Sequence, residues 1–180
     1  MFELRRSARH GRGAFAIARI PAYTAIIEYT GELISEAEGD RRYPSRPDDS
    51  DGEHTFLLEL AADRVIDANV GGNAARYINH SCEPNVEPIA FGDHMWIVAT
   101  RDIKRGEELA YDYAIELDER HTPAVKARFP CRCGARRCRG SILKPKGMPL
   151  HRDVRRTLRR LARLRNHGPI LRGGERLDRL

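Results

Sequence analysis

Long apolar runs are missing from this 180-residue chain. Nothing approaches the roughly 20 consecutive apolar residues that a bilayer-spanning helix needs, and the opening MFELRRSARHGRG has no apolar core of a secretory signal. The expectation is a soluble, cytoplasmic protein with no membrane partner. Cysteine is sparse, at four residues. Stable disulfides are rare among cellular reductants, so metal ligation is the better use of Cys82, Cys131, Cys133 and Cys138. Lysine is scarcer still, 4 against 28 arginines, a bias that a GC-rich coding sequence produces as readily as any need for guanidinium.

A net charge of +6 hides an asymmetry. Residues 151–180 hold ten basic and three acidic groups, a balance of +7, which leaves the first 150 residues near neutral at −1. Any electrostatic case for nucleic-acid binding therefore concerns the tail alone. The length suits one domain with a real core plus appendages, not two large domains.

Between Phe15 and Leu33 the runs FAIARI and AIIEY are rich in β-branched and aromatic residues, interrupted by Pro21 and Thr30-Gly31, and read as strands. Ser35-Glu36-Ala37-Glu38 has the form of a capping box opening a short helix that Gly39 weakens. Residues 44–53 are rich in Pro and Asp and read as a surface loop. Strand character returns at TFLLEL, RVIDA and HMWIVATRDI, with turns at Gly71-Gly72-Asn73 and Gly92-Asp93. A mostly-β domain follows. Beyond Tyr113 the chain is charged up to Arg128, then enters CRCGARRCRG, a small metal-organised appendage. Within 152–165, Val154, Leu158, Leu161 and Leu164 share one side of an amphipathic basic helix.

Cys131-x-Cys133-x4-Cys138 supplies three soft ligands, and Cys82 is the remaining thiol. Four thiolates around zinc make a closed, structural site with no position for water or substrate. Gly11-Arg12-Gly13-Ala14-Phe15-Ala16 superficially matches a dinucleotide phosphate loop, but Pro21 and strand-like sequence follow where that motif requires a long helix. What remains is a glycine-rich loop whose backbone a ligand can approach closely. In an extended segment Tyr111 and Tyr113 point to one face and Asp112 to the other, so two phenols would share a pocket or simply pack across strands. Asn79-His80-Ser81-Cys82 is a dense polar run beside an expected metal ligand.

Taken together, HGRG at 10–13, EYTGE at 28–32, GNAARYINHSCEPN at 72–85 and GEELAYDY at 106–113 resemble the SET family of protein-lysine methyltransferases. CRCGARRCRG is similar to that family's post-SET segment. The likeness covers about residues 8–143, looks closest to the trithorax-like histone methyltransferases, and carries no pre-SET domain, as in a minimal or bacterial-type member. It implies a β-clip-like fold of small curved sheets with a C-terminal pseudoknot, divided into a catalytic domain at 1–115, a zinc-bound post-SET segment at 116–147 and a basic helical tail at 148–180. It further implies S-adenosyl-L-methionine as methyl donor and a structural Zn2+ held by Cys82, Cys131, Cys133 and Cys138. Tyr113 would be the catalytic hydroxyl, Tyr29 would line the lysine channel, and Tyr111 would occupy the Phe/Tyr switch that favours mono- or dimethylation. The cofactor would lie against His10, Arg12, Gly13, Asn79 and His80, with Arg132 and Leu143 at the adenine. His54 stands where trithorax-like proteins have a tyrosine, another cofactor contact.

The implied partner is a protein presenting a lysine, a histone or nucleoid protein among the candidates, with chromatin or nucleoid association through it. Two other readings compete. One is a SET-like peptide-binding module without catalysis, although Tyr113, Asn79 and His80 are all in place. The other is a nucleic-acid-binding protein acting through its zinc knuckle and arginine-rich tail.

Overall fold

The computed structural model describes residues 1–44, 56–117 and 119–145. His54 and the expected basic helix at 152–165 lie outside them. Met1–Leu150 forms one compact unit, and no helix among the described residues is long and apolar enough to cross a membrane.

Among the described residues the architecture is mostly β, as the sequence indicates, and consists of four small sheets. Strands β1 (Phe2–Arg6) and β2 (Arg12–Ala16) pair antiparallel from Phe2 opposite Ala16 to Arg6 opposite Arg12. AIIEY forms β3 (Ala25–Tyr29), a β-branched and aromatic run suited to a half-buried pleated surface. β4 (Glu32–Ile34) follows directly. β5 (Leu57–Ala61) and β6 (Arg64–Asp67) join β4 in the order β4-β6-β5. After β7 (Asn79–His80) come β8 (Val86–Phe91) and β9 (His94–Ala99), a hairpin closed by the Gly92-Asp93 turn and completed by β3 in the order β3-β9-β8. β10 (Ala110–Tyr111) runs parallel to β7, with Ala110 opposite Asn79 and Tyr111 opposite His80.

Helix α1 (Glu36–Arg42) begins where the capping pattern puts it. Ser35 Oγ accepts the Glu38 N–H at 3.2 Å. The Glu38 carboxylate does not return to the Ser35 backbone; it binds Arg41 and Arg42 on the last turn instead, so two charge-assisted bonds win over the second half of the box. Gly39 lies inside the helix and is buried against Leu57 and Ile34. Arg42 also reaches the fully buried Asp67 carboxylate at 3.1 Å, tying α1 to the β4-β6-β5 sheet.

Several elements went unread in the sequence, β7 and β8 among them. FELRR is β1, too charged to signal a strand by periodicity, and it forms because β2 offers a partner edge. A 3-10 turn covers Ala74–Tyr77. Inside the charged stretch before the cysteines lies α2 (Pro123–Arg128), capped by Thr122 Oγ1 on the Val125 N–H with Pro at its first turn; Thr-Pro is a legible start signal.

The sheets converge on a core of Ile20, Ile78, Val86, Ile97, Ile103 and Leu109, all fully buried. Each such side chain contributes about 1.5–3 kcal/mol. Gly72 shows how tightly the 71–73 turn is packed: a Cβ there would collide with the Ala68 carbonyl. That turn aims the chain through the 3-10 segment into β7.

Crossing of two segments then makes the site. Ser81 N–H donates to Tyr111 O at 2.9 Å, and Asn85 N–H to Ala110 O at 3.1 Å. The Asn85 side chain receives Ala110 N–H at 2.9 Å and donates to Glu108 O at 2.9 Å. Residues 79–85 are thereby bound along residues 108–111, the close pairing of NHSC with the C-terminal segment that the resemblance implies.

Candidate active site and metal centre

Three groups of side chains meet around this crossing. The first surrounds the glycine-rich loop. Asn79 Nδ2 donates to Arg12 O at 3.0 Å, His10 O at 3.3 Å and Glu108 Oε1 at 2.8 Å. The same carboxylate accepts Ser7 Oγ–H at 2.7 Å and faces Arg9 Nε at 3.5 Å. A Cβ at Gly13 would strike Glu108 Oε1 and crowd Asn79 Nδ2. Gly13 therefore lets the loop backbone close over a buried polar knot. His10, Arg12, Gly13 and Asn79, expected together from the sequence, are brought together. Glu108 and Ser7, which complete the knot, were missed; Glu108 lies in the recognised GEEL run, and only the fold shows what its carboxylate meets. The Arg12 guanidinium turns aside and stacks over the Tyr77 ring at 4.9 Å.

The second group is aromatic. Tyr111 and Tyr113 have ring centroids 5.0 Å apart, and Tyr113 meets the His80 ring edge-on at 5.3 Å. Tyr113 Oη donates to Ile78 O at 3.1 Å and Tyr29 Oη to Phe56 O at 2.9 Å. Tyr29 is 2% exposed and Tyr111 7%. Burial pushes all three phenols above the ordinary range. For Tyr29 the nearby Tyr113 adds to it, for Tyr111 the other two tyrosines do, and for Tyr113 Glu108 does. All three stay protonated near neutral pH, so the cluster presents neutral hydroxyls in an apolar wall. Tyr111 and Tyr113, read as sharing one face, do meet ring against ring.

Sulfur makes the third group. Cys82 Sγ and Cys131 Sγ are 3.7 Å apart, and four sulfurs each about 2.3 Å from a tetrahedral zinc lie about 3.8 Å from one another. Backbone N–H groups already point at the sulfurs: Arg139 N–H at Cys82, Cys133 N–H at Cys131 and Gly140 N–H at Cys138, each at 3.4 Å. Burial would raise the Cys133 thiol, but N–H groups of Cys82 and Ala135 and the thiols of Cys131 and Cys138 draw it down to about 6. Burial holds the Cys82 and Cys131 thiols above the ordinary range, so the fit to a soft divalent metal rests on the closeness and type of the donors, sulfur and imidazole within 4.8 Å.

His80 is a rival fourth donor, since its ring nitrogen lies within 4.8 Å of the sulfurs of Cys82, Cys131 and Cys133. Its own bonds argue otherwise. His80 Nδ1 accepts the Tyr113 N–H at 3.1 Å, and burial, only partly opposed by Asp112, pushes its pKa down to about 4. A neutral ring that accepts at Nδ1 carries its proton on Nε2, which lies 3.4 Å from Cys82 Sγ. His80 Nε2 is thereby placed to donate to the Cys82 sulfur, while Cys138 lies outside the group of His80, Cys82, Cys131 and Cys133 whose ligand atoms sit within 4.8 Å of one another. Leu143 is buried and bridges in parallel to Ile115 just beyond the tyrosines. Arg132 is exposed between Cys131 and Cys133, and the structure does not join it to the other expected cofactor residues.

Small sheets, an Asn-His segment crossed by a Tyr-Asp-Tyr segment and a thiol knuckle beside them define the class. The family model described as SET domain matches residues 11–114, and the chain belongs to the SET-domain family. Among known proteins it is 42% identical over 138 residues to histone-lysine N-methyltransferase trithorax of Drosophila virilis, covering 74% of this chain and 3% of that protein. It is 41% identical over 138 residues to human histone-lysine N-methyltransferase 2B, covering 74% and 5%. With histone-lysine N-methyltransferase trr of Drosophila melanogaster it shares 42% over 141 residues, covering 76% and 6%. The chain thus spans only a small fraction of the length of these relatives.

Proposed function

We propose that this protein transfers a methyl group from S-adenosyl-L-methionine to a lysine side chain of a basic protein, a histone or nucleoid protein being the first candidate. The observation that carries the reading is the juxtaposition of three neutral phenols, Tyr29 and Tyr111 buried and Tyr113 partly buried, with the Asn79-anchored glycine loop. When bound, S-adenosylmethionine would supply an electrophilic methyl: a lysine amine that has lost one proton forms the new C–N bond in line as the C–S bond breaks, and the sulfonium leaves as the neutral thioether S-adenosylhomocysteine. No covalent enzyme intermediate is needed, so the residues of this chain have to align, desolvate and exclude water.

A lysine of ordinary pKa costs about 4 kcal/mol to deprotonate near pH 7.5. A channel walled by Tyr29, Tyr111 and Tyr113 lowers that cost, because an apolar surrounding disfavours the ammonium form. His10, Arg12 and Gly13 offer backbone to the methyl donor, and Asn79 holds that backbone in place. Arg132 and Leu143 would flank the adenine, and His54, outside the described residues, is the remaining expected donor contact. Cys82, Cys131, Cys133 and Cys138 would hold a structural zinc.

Incubation of the purified chain with methyl-labelled S-adenosylmethionine and a panel of core histones and bacterial nucleoid proteins tests the reading. Label on a lysine of at least one of them is expected. Binding of the donor without label on any protein would favour a peptide-binding module instead.

Tyr111 sets how far methylation proceeds. Its hydroxyl takes up room and solvation beside the amine that an added methyl would need, so mono- or dimethyl-lysine is expected. In Tyr111→Phe the product should shift by at least one methyl, read by mass spectrometry of a lysine peptide. An unchanged product spectrum would remove Tyr111 from that role.

A further inference from the structure

Tyr113 has to be held to within a fraction of an ångström for its hydroxyl to matter, yet it sits where regular structure ends. β10 stops at Tyr111, and Ala114 takes a left-handed φ of +47°. For a residue with a Cβ that conformation costs about 1–2 kcal/mol, so something has to over-determine it. Asp112 does. Its Oδ1 accepts the Ala114 N–H at 3.1 Å, pinning the turn, and both its oxygens take a fork from Arg139, Oδ2 to Nη1 at 2.6 Å and Oδ1 to Nη2 at 2.7 Å. The pair is largely screened from solvent, with side chains 22% and 18% exposed.

Arg139 is itself fixed at the other end. It follows Cys138 directly, and its own N–H points at Cys82 Sγ at 3.4 Å. On the other side of the turn the Tyr113 N–H is held by His80 Nδ1, whose ring borders the same sulfur. The tyrosine backbone is thus gripped by two arms that both end at Cys82.

We propose that Asp112 and Arg139 are positioning residues: their ion pair is the mechanical link through which the thiol knuckle sets the Tyr111–Ala114 segment, and hence the Tyr113 hydroxyl. A bidentate guanidinium–carboxylate pair suits this task because it fixes direction as well as distance. The knuckle's contribution to activity then runs through a defined bond in addition to general stability.

Asp112→Asn keeps an oxygen for the Ala114 N–H while removing the charged fork, and Arg139→Gln removes it from the other side. In the full chain each variant should retain the wild-type zinc content, measured with a chromophoric chelator. The amides of Tyr113 and Ala114 should exchange with solvent at least about tenfold faster, because local opening becomes cheaper. The kinetic arm rests on the methyltransferase reading: kcat should fall on the order of tenfold to a hundredfold, while KM for S-adenosylmethionine moves less than about twofold.

The double variant should be no slower than the slower single, since both remove one interaction, and Arg139→Lys should recover part of kcat. Exchange rates left at the wild-type value, effects that multiply in the double variant, or zinc lost in parallel with activity would each overturn the link. The exchange and zinc measurements need no turnover. A chain that methylates nothing but shows the expected exchange pattern would therefore sink the enzymatic reading and leave the clamp standing.

Discussion

Replacing Tyr113 with Phe is expected to lower kcat by roughly a hundredfold or more while leaving affinity for S-adenosylmethionine within about twofold of wild type. The asymmetry follows from what the hydroxyl does and does not hold. Phe keeps the ring, so the 5.0 Å packing on Tyr111 and the edge-on contact with His80 survive. The one bond lost is to Ile78 O, worth about 1 kcal/mol to the fold. In the native protein the phenol stays protonated because burial, reinforced by Glu108, raises its pKa. Its proton is spent on the Ile78 carbonyl, and on the proposed reading the oxygen's lone pairs would face the reacting methyl and amine. Charge redistributes there only in the transition state, so kcat suffers and donor affinity does not. Single-turnover rates on a labelled lysine peptide, with donor affinity measured separately by calorimetry, separate the two quantities. A Tyr113→Phe variant turning over at wild-type rate would remove the hydroxyl from the chemistry.

How much of this was legible without coordinates depended on whether a residue's role is local. AIIEY, RVIDA and the Ser35 cap declare themselves within a few positions, and the structure has them where propensity and capping place them. Tyr29, Tyr111, Tyr113, Asn79 and the cysteines could be singled out because they sit in short motifs of recognisable spacing. Glu108, Asp112 and Arg139 were inside those motifs too, yet sequence gave them no task. Their meaning comes from partners 27 to 101 positions away, Arg139 for Asp112 and Ser7 for Glu108, and long-range pairing leaves no periodicity to read. β1 was invisible for a related reason. Phe2 and Leu4 alternate with charged residues as an edge strand should, but five residues bearing two arginines and a glutamate carry too weak a pattern without β2 beside them.

Metal binding should divide the five candidate donors cleanly. Cys82→Ser and Cys138→Ser are each expected to reduce bound zinc from about one per chain to well below half, because a hydroxyl neither ionises near neutral pH nor matches zinc's preference for thiolate. His80→Gln should keep the full stoichiometry, with affinity weakened about tenfold to a hundredfold, the usual effect of removing a hydrogen bond to a ligand. The contrast follows from the tautomer. His80 Nδ1 is committed to the Tyr113 N–H, so Nε2 carries the proton and can stabilise a Cys82 thiolate but cannot also bind the metal. The opposite pattern, zinc lost in His80→Gln and retained in Cys138→Ser, would make the centre a three-sulfur, one-nitrogen site and release Tyr113 from its backbone anchor. Chelation of the wild-type protein should act like the cysteine variants and go one step further. Without metal only weak N–H contacts at 3.4 Å hold the sulfurs, so the Arg139 arm should slacken, and turnover should fall before the β3-β9-β8 sheet loses any of its circular dichroism. Simultaneous loss of both signals would mean that the knuckle supports the whole fold and not the tyrosine segment in particular.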